Sequence, residues 1–256
     1  MARQAGNAMM VIKMTDPEIL SQIISTEVRL NPVEPGIYSI YPMGHAPGAY
    51  DRTGASTIYD VVACNGLYNR LMWGYAIRDY ATLCENSLAA SAEGWVLDLA
   101  CGSLAFTAEV YARPCNRPTV FVDQSLKLLR KARSRLAQLK GELPDNMYFL
   151  HADALRLPFN AHVFRTVISL NLLHCLCLAD MKTALKEIRR VLVAGGNSAI
   201  TTLVRSRRWS DRYLNLLDGS GALVARSSDE LLSAFEELEM PVTCGISGNL
   251  AFVRHG

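Results

Sequence analysis

The sequence predicts an α/β protein: a doubly wound, mostly parallel sheet that ends in a β-hairpin and is preceded by a helical and loop-rich N-terminal extension. Three observations predict it. From residue 94 to residue 238, short strand-like apolar runs alternate with longer stretches of helical periodicity, the pattern of strands joined by crossover helices. Val96-Leu-Asp-Leu-Ala-Cys-Gly-Ser-Leu-Ala-Phe-Thr107 passes from an apolar strand through a small-residue turn into a helix start, which lets backbone N–H groups face a ligand at close range. Thr119-Val-Phe-Val122 then ends on Asp123, an acid at a strand tip, where a nucleoside ribose would donate its hydroxyls.

Taken in order, residues 1–56 form the expected extension, a lid or substrate wall, and residues 57–256 the main domain. In the extension, Asp16 to Val28 carries helical spacing through Ile19, Leu20, Ile23 and Ile24, with Thr15 or Asp16 as cap. Arg29 to Gly54 is rich in proline, glycine and tyrosine and reads as a loop. Ser56 to Asn86 is helical, split near Gly66 and Gly74. Strands follow at Gly94–Leu99, Thr119–Val122, Met147–His151, Val167–Leu170 and Gly196–Leu203. The helices between and after them are Leu104–Ala112, Gln124–Gly141, Asp180–Val193 and Ser228–Leu238. Val242–Ile246 and Asn249–Arg254 flank Ser247-Gly248 as a closing hairpin.

With 256 residues the chain is long enough to bury a substantial core, and half of its residues are hydrophobic. The net charge of +2 gives no reason to expect a nucleic-acid partner. The basic helix from Ser125 reads as a solvated face, because no aromatic platform accompanies Lys127, Arg130, Lys131, Arg133, Arg135 and Lys140. Seven irregularly spaced cysteines read as reduced thiols of a cytoplasmic protein, with Cys175 and Cys177 as buried small hydrophobes. No signal peptide, membrane-spanning run or metal constellation is visible in the sequence.

Several stretches, in order, resemble the class I S-adenosylmethionine-dependent methyltransferases, most closely the branch that methylates small molecules such as quinone rings. They are Val96–Ser103, Val122-Asp123-Gln124-Ser125, His151-Ala-Asp153-Ala154, Leu157-Pro-Phe159 with Phe164 and Leu173-His174, and Ala184–Leu192 followed by Gly195-Gly196. Tyr68-Asn-Arg-Leu-Met-Trp-Gly74 resembles the helical lead-in of the quinone-methylating branch. The resemblance implies S-adenosylmethionine as cofactor and a small organic acceptor. It also implies a cofactor set of Asp98, Ala100, Gly102, Asp123, Gln124, Asp153, Ala154, Asn171, Tyr68 and Trp73. Asp98 would hold the α-ammonium, Asp123 the ribose hydroxyls and Asp153 the adenine amino group, with the Ala154 N–H toward the ring. His174, after the fourth strand, is the candidate base, whereas His151 reads as structural. Tyr59, Arg205 and Trp209 are the candidate acceptor wall.

Three positions depart from the family pattern. Ala100 and Leu104 stand where glycines are usual, and Arg165 where an acid is usual. A branched side chain at Leu104 either turns away as the helix begins or crowds the amino-acid end of the cofactor. These departures keep a second function open: a protein of this fold that binds cofactor or partner without methyl transfer, or that uses the pocket for another reaction. Ala100-x-Gly102-x-x-Ala105 with Asp123 is also a degenerate dinucleotide pattern. The hairpin, the His-Ala-Asp segment and the Gly195-Gly196 turn favour the methyltransferase.

Overall fold

The computed structural model describes residues 17–42, 64–114 and 116–256. The chain opens with α1 (Pro17–Ser21), β1 (Asn31–Glu34) and β2 (Ile37–Ser39). A helical turn, α2 (Gly66–Tyr68), runs directly into a π-helix over Asn69–Trp73, and α3 (Arg78–Ala89) follows. Next come β3 (Trp95–Leu99), α4 (Ala108–Ala112), β4 (Thr119–Asp123), α5 (Leu126–Lys140), β5 (Met147–His151) and β6 (Phe164–Leu170). A 3-10 turn at Leu173–Cys175 leads to α6 (Leu178–Val191) and β7 (Leu192–Leu203). The chain closes with α7 (Asp211–Gly219), α8 (Ser228–Glu236), β8 (Thr243–Ser247) and β9 (Leu250–His255).

The described strands form one nine-stranded sheet in the order β1-β2-β5-β4-β3-β6-β7-β9-β8. From β2 to β7 every neighbouring pair is parallel; β1 and the β8–β9 hairpin run antiparallel to their neighbours. The chain winds outward from β3 in one direction through β4 and β5, then returns to its other side with β6. That reversal opens a crevice at the carboxyl ends of the central strands.

Period-2 alternation sends neighbouring residues of each central strand to opposite faces. In β4, Val120 and Val122 join one core cluster with Leu97, Leu150 and the α6 residues Leu185 and Ile188. Phe121 joins the other with Phe149 and the α5 residues Leu129, Ala132 and Leu136. Every residue of β4 and β5 is buried, as a strand covered on both faces requires.

The structure corrects several expectations. Asn31–Glu34 and Ile37–Ser39 are strands, not loop. Pro32 breaks the strand pattern but is tolerated because β1 lies at the sheet edge. Pro35-Gly36, with Gly36 at φ 80°, supplies the tight turn between them. The first helix covers only Pro17–Ser21, although Leu20, Ile23 and Ile24 are buried as their spacing suggested. The helix expected from Leu104 begins only at Ala108, because the turn continues through residue 107. It stops before Pro114, whose ring holds Arg113 in an extended conformation. α7 had no counterpart in the expected order. Cys175 and Cys177 are exposed, because the chain leaves the sheet at Leu170 and turns along the surface before α6. The Cys177 sulfur accepts the Asp180 N–H at 3.4 Å and so caps α6.

Part of the basic face of α5 is committed to structure. Arg130 pairs with Glu34 at 2.6 Å, Lys140 donates to the Ala112 carbonyl at 3.1 Å, and Arg135 donates to the hydroxyl of Ser103 at 3.1 Å. Arg165 lies at the opening of β6, at the end of the sheet away from the crevice. It donates to Ser91 Oγ at 3.2 Å and to the Ala194 carbonyl at 3.4 Å, and its stem covers Gly94.

Arg117 fastens that same end. It is 5% exposed and donates to the carbonyls of Gly94 (3.0 Å), Leu88 (3.1 Å) and Ser91 (2.9 Å), and to Thr166 Oγ1 at 2.9 Å. Arg117→Met would remove the donor from all four acceptors, among them the fully buried Thr166 hydroxyl. It is expected to destabilise the protein by at least about 2 kcal/mol, read as a lower denaturation midpoint in urea.

Candidate functional site

The crevice holds a cavity of about 370 Å³, a size suited to a cofactor or small ligand. Ala100 and Gly102 line it from the turn after β3, Asp123 and Gln124 from the tip of β4, and Asp153 and Ala154 from the segment after β5. Asn171, at the end of β6, lines it from the far side.

The turn after β3 has an unusual backbone. Ala100, Gly102 and Leu104 all adopt left-handed conformations, with φ of 55°, 56° and 54°. Only the middle one is glycine, so the outer two carry strain. The usual glycine conformation thus survives where the glycines do not. Leu104 turns away from the cavity: it is 2% exposed and packs with Cys84, Ala108 and Ile168 in the core behind the turn. The crowding anticipated at residue 104 does not arise.

Asp123 organises the crevice. Its carboxylate accepts the Gly102 N–H at 2.8 Å on one oxygen and the Ser125 N–H at 2.8 Å on the other. It therefore ties the strained turn to the start of α5, where Ser125 caps the helix by accepting the Leu128 N–H at 3.2 Å. The Asp123 carboxylate also lines the cavity. Asp153 accepts the Leu155 N–H at 2.9 Å through Oδ1.

Asp98 is placed differently from expectation. It is 2% exposed and lies beneath the turn rather than on the cavity wall. Its Oδ2 and the Tyr111 hydroxyl are both buried without a hydrogen-bond partner. Burial pushes the Asp98 carboxyl up to about 7; the nearby Tyr111 hydroxyl opposes the rise and the charge of Asp123 adds to it.

Asn171 also sits at positive φ, 64°. Its amide donates to the Tyr80 hydroxyl at 2.7 Å, and its backbone N–H donates to the Thr201 carbonyl at 2.9 Å. Tyr68 and Trp73 are drawn elsewhere: they pack with Tyr213, Tyr75 and Leu214 in a separate cluster and are not on the cavity wall. The Tyr68 and Tyr213 hydroxyls are 3.4 Å apart, and the Trp73 and Tyr213 rings are 5.5 Å apart. Their helical aromatic spacing reflects core packing rather than a ligand wall.

His174 is not on the cavity wall. Its Nδ1 accepts the Leu203 N–H at 3.3 Å. Its carbonyl accepts the Val224 N–H at 2.7 Å. Burial, helped by the charge of Arg226, pushes the imidazole down to about 4, so it is neutral at pH 7. The structure thus replaces the expected catalytic base with a fastening between β7 and the segment before α8. Arg205 pairs with Asp218 at 3.5 Å and donates to Asn215 Oδ1 at 3.0 Å, so it serves α7. Trp209 is 61% exposed and lies off the cavity. Tyr59 lies outside the described residues.

Cavity-lining residues that the sequence did not flag are Leu128, Leu155, Leu172, Cys175, Leu176 and Asp180. Leu128 carried a usable signal, three residues after a serine that caps its helix. The loop positions carried none. A second, wider cavity of about 800 Å³ shares Asp153 with the first and lies between the N-terminal hairpin and the loop after β5. It was hidden because β1 and β2 read as loop.

The sheet order and the closing antiparallel strands are those of the class I methyltransferase fold. The family model described as a methyltransferase domain matches residues 96–196, the stretch from β3 to the first part of β7. No curated protein matches this chain significantly. Among solved structures, the YcgJ protein of Bacillus subtilis is similar at 22% identity and a TM-score of 0.54, covering 65% of this chain and 70% of its own. A geranyl diphosphate C-methyltransferase of Streptomyces coelicolor is similar at 14% identity and a TM-score of 0.56, covering 70% and 74%. The cyclase SpnF is similar at 21% identity and a TM-score of 0.55, covering 68% and 62%. At these identities the likeness concerns the fold.

Two outcomes follow from this geometry. Leu104→Ala removes core packing and not a cavity contact, so it should cost about 2–5 kcal/mol of stability while leaving the affinity for a cavity ligand within about twofold. Thermal melts and calorimetry on the same sample would check both. The raised Asp98 carboxyl stabilises the fold while protonated, fully below the usual carboxylate range, and that contribution is lost as pH rises toward about 7. Asp98→Asn should therefore melt above the parent protein at pH 8, with the gap shrinking as pH falls toward 4.

Proposed function

We propose that this protein transfers a methyl group from S-adenosylmethionine to a small organic acceptor, at carbon, oxygen or nitrogen. One observation carries the reading: Asp123 and Asp153, on successive strand tips, face a single cavity floored by the left-handed turn of Ala100 and Gly102. The residues present fit this cofactor. Two carboxylates match its ribose and adenine donors, and small residues at 100, 102, 152 and 154 leave room beside them. The similarity to a geranyl diphosphate C-methyltransferase supports a small-molecule acceptor.

When bound, the cofactor supplies an electrophilic methyl group on a sulfonium with a good leaving group. The work of this chain is orientation. Asp123, a carboxylate on the cavity wall, accepts the ribose hydroxyls. Asp153 accepts the adenine amino group, Gln124 edges the ribose, and the Ala154 N–H faces the ring. Gly102 lets the backbone approach the methionine portion. Asn171 bounds the side from which the acceptor enters, its amide held by Tyr80. We assign no base role to His174, which does not line the cavity and whose Nδ1 accepts the Leu203 N–H.

A second reading, the same pocket serving a reaction other than methyl transfer, draws on the similarity to a protein named as a cyclase. Calorimetry with S-adenosylmethionine and S-adenosylhomocysteine separates the outcomes. Binding of both, with methyl transfer from labelled cofactor to an acceptor, is expected. Binding without transfer to any acceptor favours the second reading, and binding of neither ends the methyltransferase reading and favours the second.

Asp123→Ala should weaken S-adenosylhomocysteine about 10- to 100-fold, the worth of a charge-assisted pair. Asp123→Asn, which keeps an acceptor for Gly102, guards against a folding defect. An unchanged dissociation constant in both variants would remove the ribose assignment.

A further inference from the structure

One face of the molecule combines exposed apolar side chains with unpaired arginines. The π-helix and α7 lie side by side, joined by Tyr68, Trp73 and Tyr213. Arg208 reaches across the junction: a Cβ on Gly74 would lie 2.7 Å from its Nη2. The inward sides of both helices enter one buried cluster through Trp73, Met72, Leu214 and Leu217. Among the described residues, side chains on their outward sides are exposed. Leu67 and Leu216 are each 67% exposed, Leu71 is 62% and Trp209 is 61% exposed. These are the four most exposed large apolar side chains among the described residues; the next, Leu178, is at 51%. Their convergence on two neighbouring helices and the turn before α7 is not the scatter of a neutral surface.

The charges on the same face have one sign. Arg70, Arg207, Arg208 and Arg212 are exposed. None of the four makes an ion pair among the described residues. The acids close by are engaged. Asp211 accepts the N–H groups of Ser206 and Arg207 and the Asn249 amide, and Asp218 pairs with Arg205. The face adjoins the cavity, because Tyr80 links the aromatic cluster to Asn171 on the cavity wall.

We propose that this face docks on an anionic phospholipid surface. Leu67, Leu71, Leu216 and the indole of Trp209 enter the boundary between headgroups and acyl chains, and the four arginines meet lipid phosphates. Leucine and tryptophan flanked by arginine is the composition of an interfacial helix, and tryptophan favours that depth. A nucleic acid would use the arginines but leaves the three leucines unexplained, since stacking needs aromatic platforms. Among the described residues no helix is long and apolar enough to cross a bilayer. The proposal does not depend on methyl transfer.

The test is co-sedimentation of the full chain with phosphatidylcholine vesicles, alone or containing phosphatidylglycerol, at low and high salt. Binding to the anionic vesicles and little to the neutral ones is expected, weakening as salt rises. Leu71→Ser with Trp209→Ser and Leu216→Ser should lower the partition coefficient at least about tenfold, by removal of buried apolar area. Each of Arg207→Gln and Arg212→Gln should lower it about fivefold. All these side chains are exposed, and unchanged melting temperatures confirm that the variants fold. No sedimentation with anionic vesicles at low salt overturns the proposal. So does binding unaffected by the apolar substitutions, which would reduce it to charge attraction. A self-association lost in the apolar variants without any vesicle binding assigns the face to a second copy instead. Arginine-dependent binding to single-stranded RNA with no vesicle binding assigns it to nucleic acid.

Discussion

The hydrogen bond from the Gly102 N–H to Asp123 is the constraint on which the site depends. The backbone between β3 and α4 takes three left-handed residues, at positions 100, 102 and 104, in a stretch of five. Two of them are not glycine, and an L-residue in that region carries a penalty. Such a turn persists only where its surroundings over-determine it. Asp123 does so by accepting the Gly102 N–H. One carboxylate therefore shapes the cavity floor, starts α5 through Ser125 and lines the cavity.

The residues that depart from the family pattern find their explanation in this arrangement. Ala100 keeps the glycine geometry with the smallest possible side chain. Leu104 keeps it by exchanging conformational ease for burial, since its side chain fills the core behind the turn. Arg165 is remote from the crevice and joins the fastening around Ser91, beside the buried guanidinium of Arg117. None of the three obstructs the cavity.

Much of the fold was legible because the central strands carry period-2 apolar runs and α5 and α6 carry 3.6-residue periodicity, both dictated by burial. The crossover helices and the closing hairpin followed from that alternation. What stayed hidden was set by tertiary context. Pro32 disguised an edge strand, and the late start of α4 was decided by a turn whose strain is supported from another strand. The surface course of Cys175 and Cys177 looked like a continuing core run. Within the site, Asp123, Gln124, Asp153, Ala154, Ala100, Gly102 and Asn171 could be placed near the crevice because strand ends in this topology converge there. Asp98, His174, Tyr68 and Trp73 could not, since residue type and spacing do not reveal on which side of the backbone a side chain is buried.

The N-terminal hairpin adds a further consequence through His151. Its Nε2 bonds the Gln124 carbonyl at 3.1 Å, and its Nδ1 meets Ser39 Oγ, also at 3.1 Å. A carbonyl only accepts, so Nε2 donates to Gln124, and the Ser39 hydroxyl lies within hydrogen-bond reach of both Nδ1 and the Tyr41 carbonyl. The appended ribbon is thereby wired to the rim of the ligand chamber through one imidazole. Domain cores trimmed of their first forty residues would lose this strut, and catalogues of minimal domains would misjudge how firmly the chamber is held.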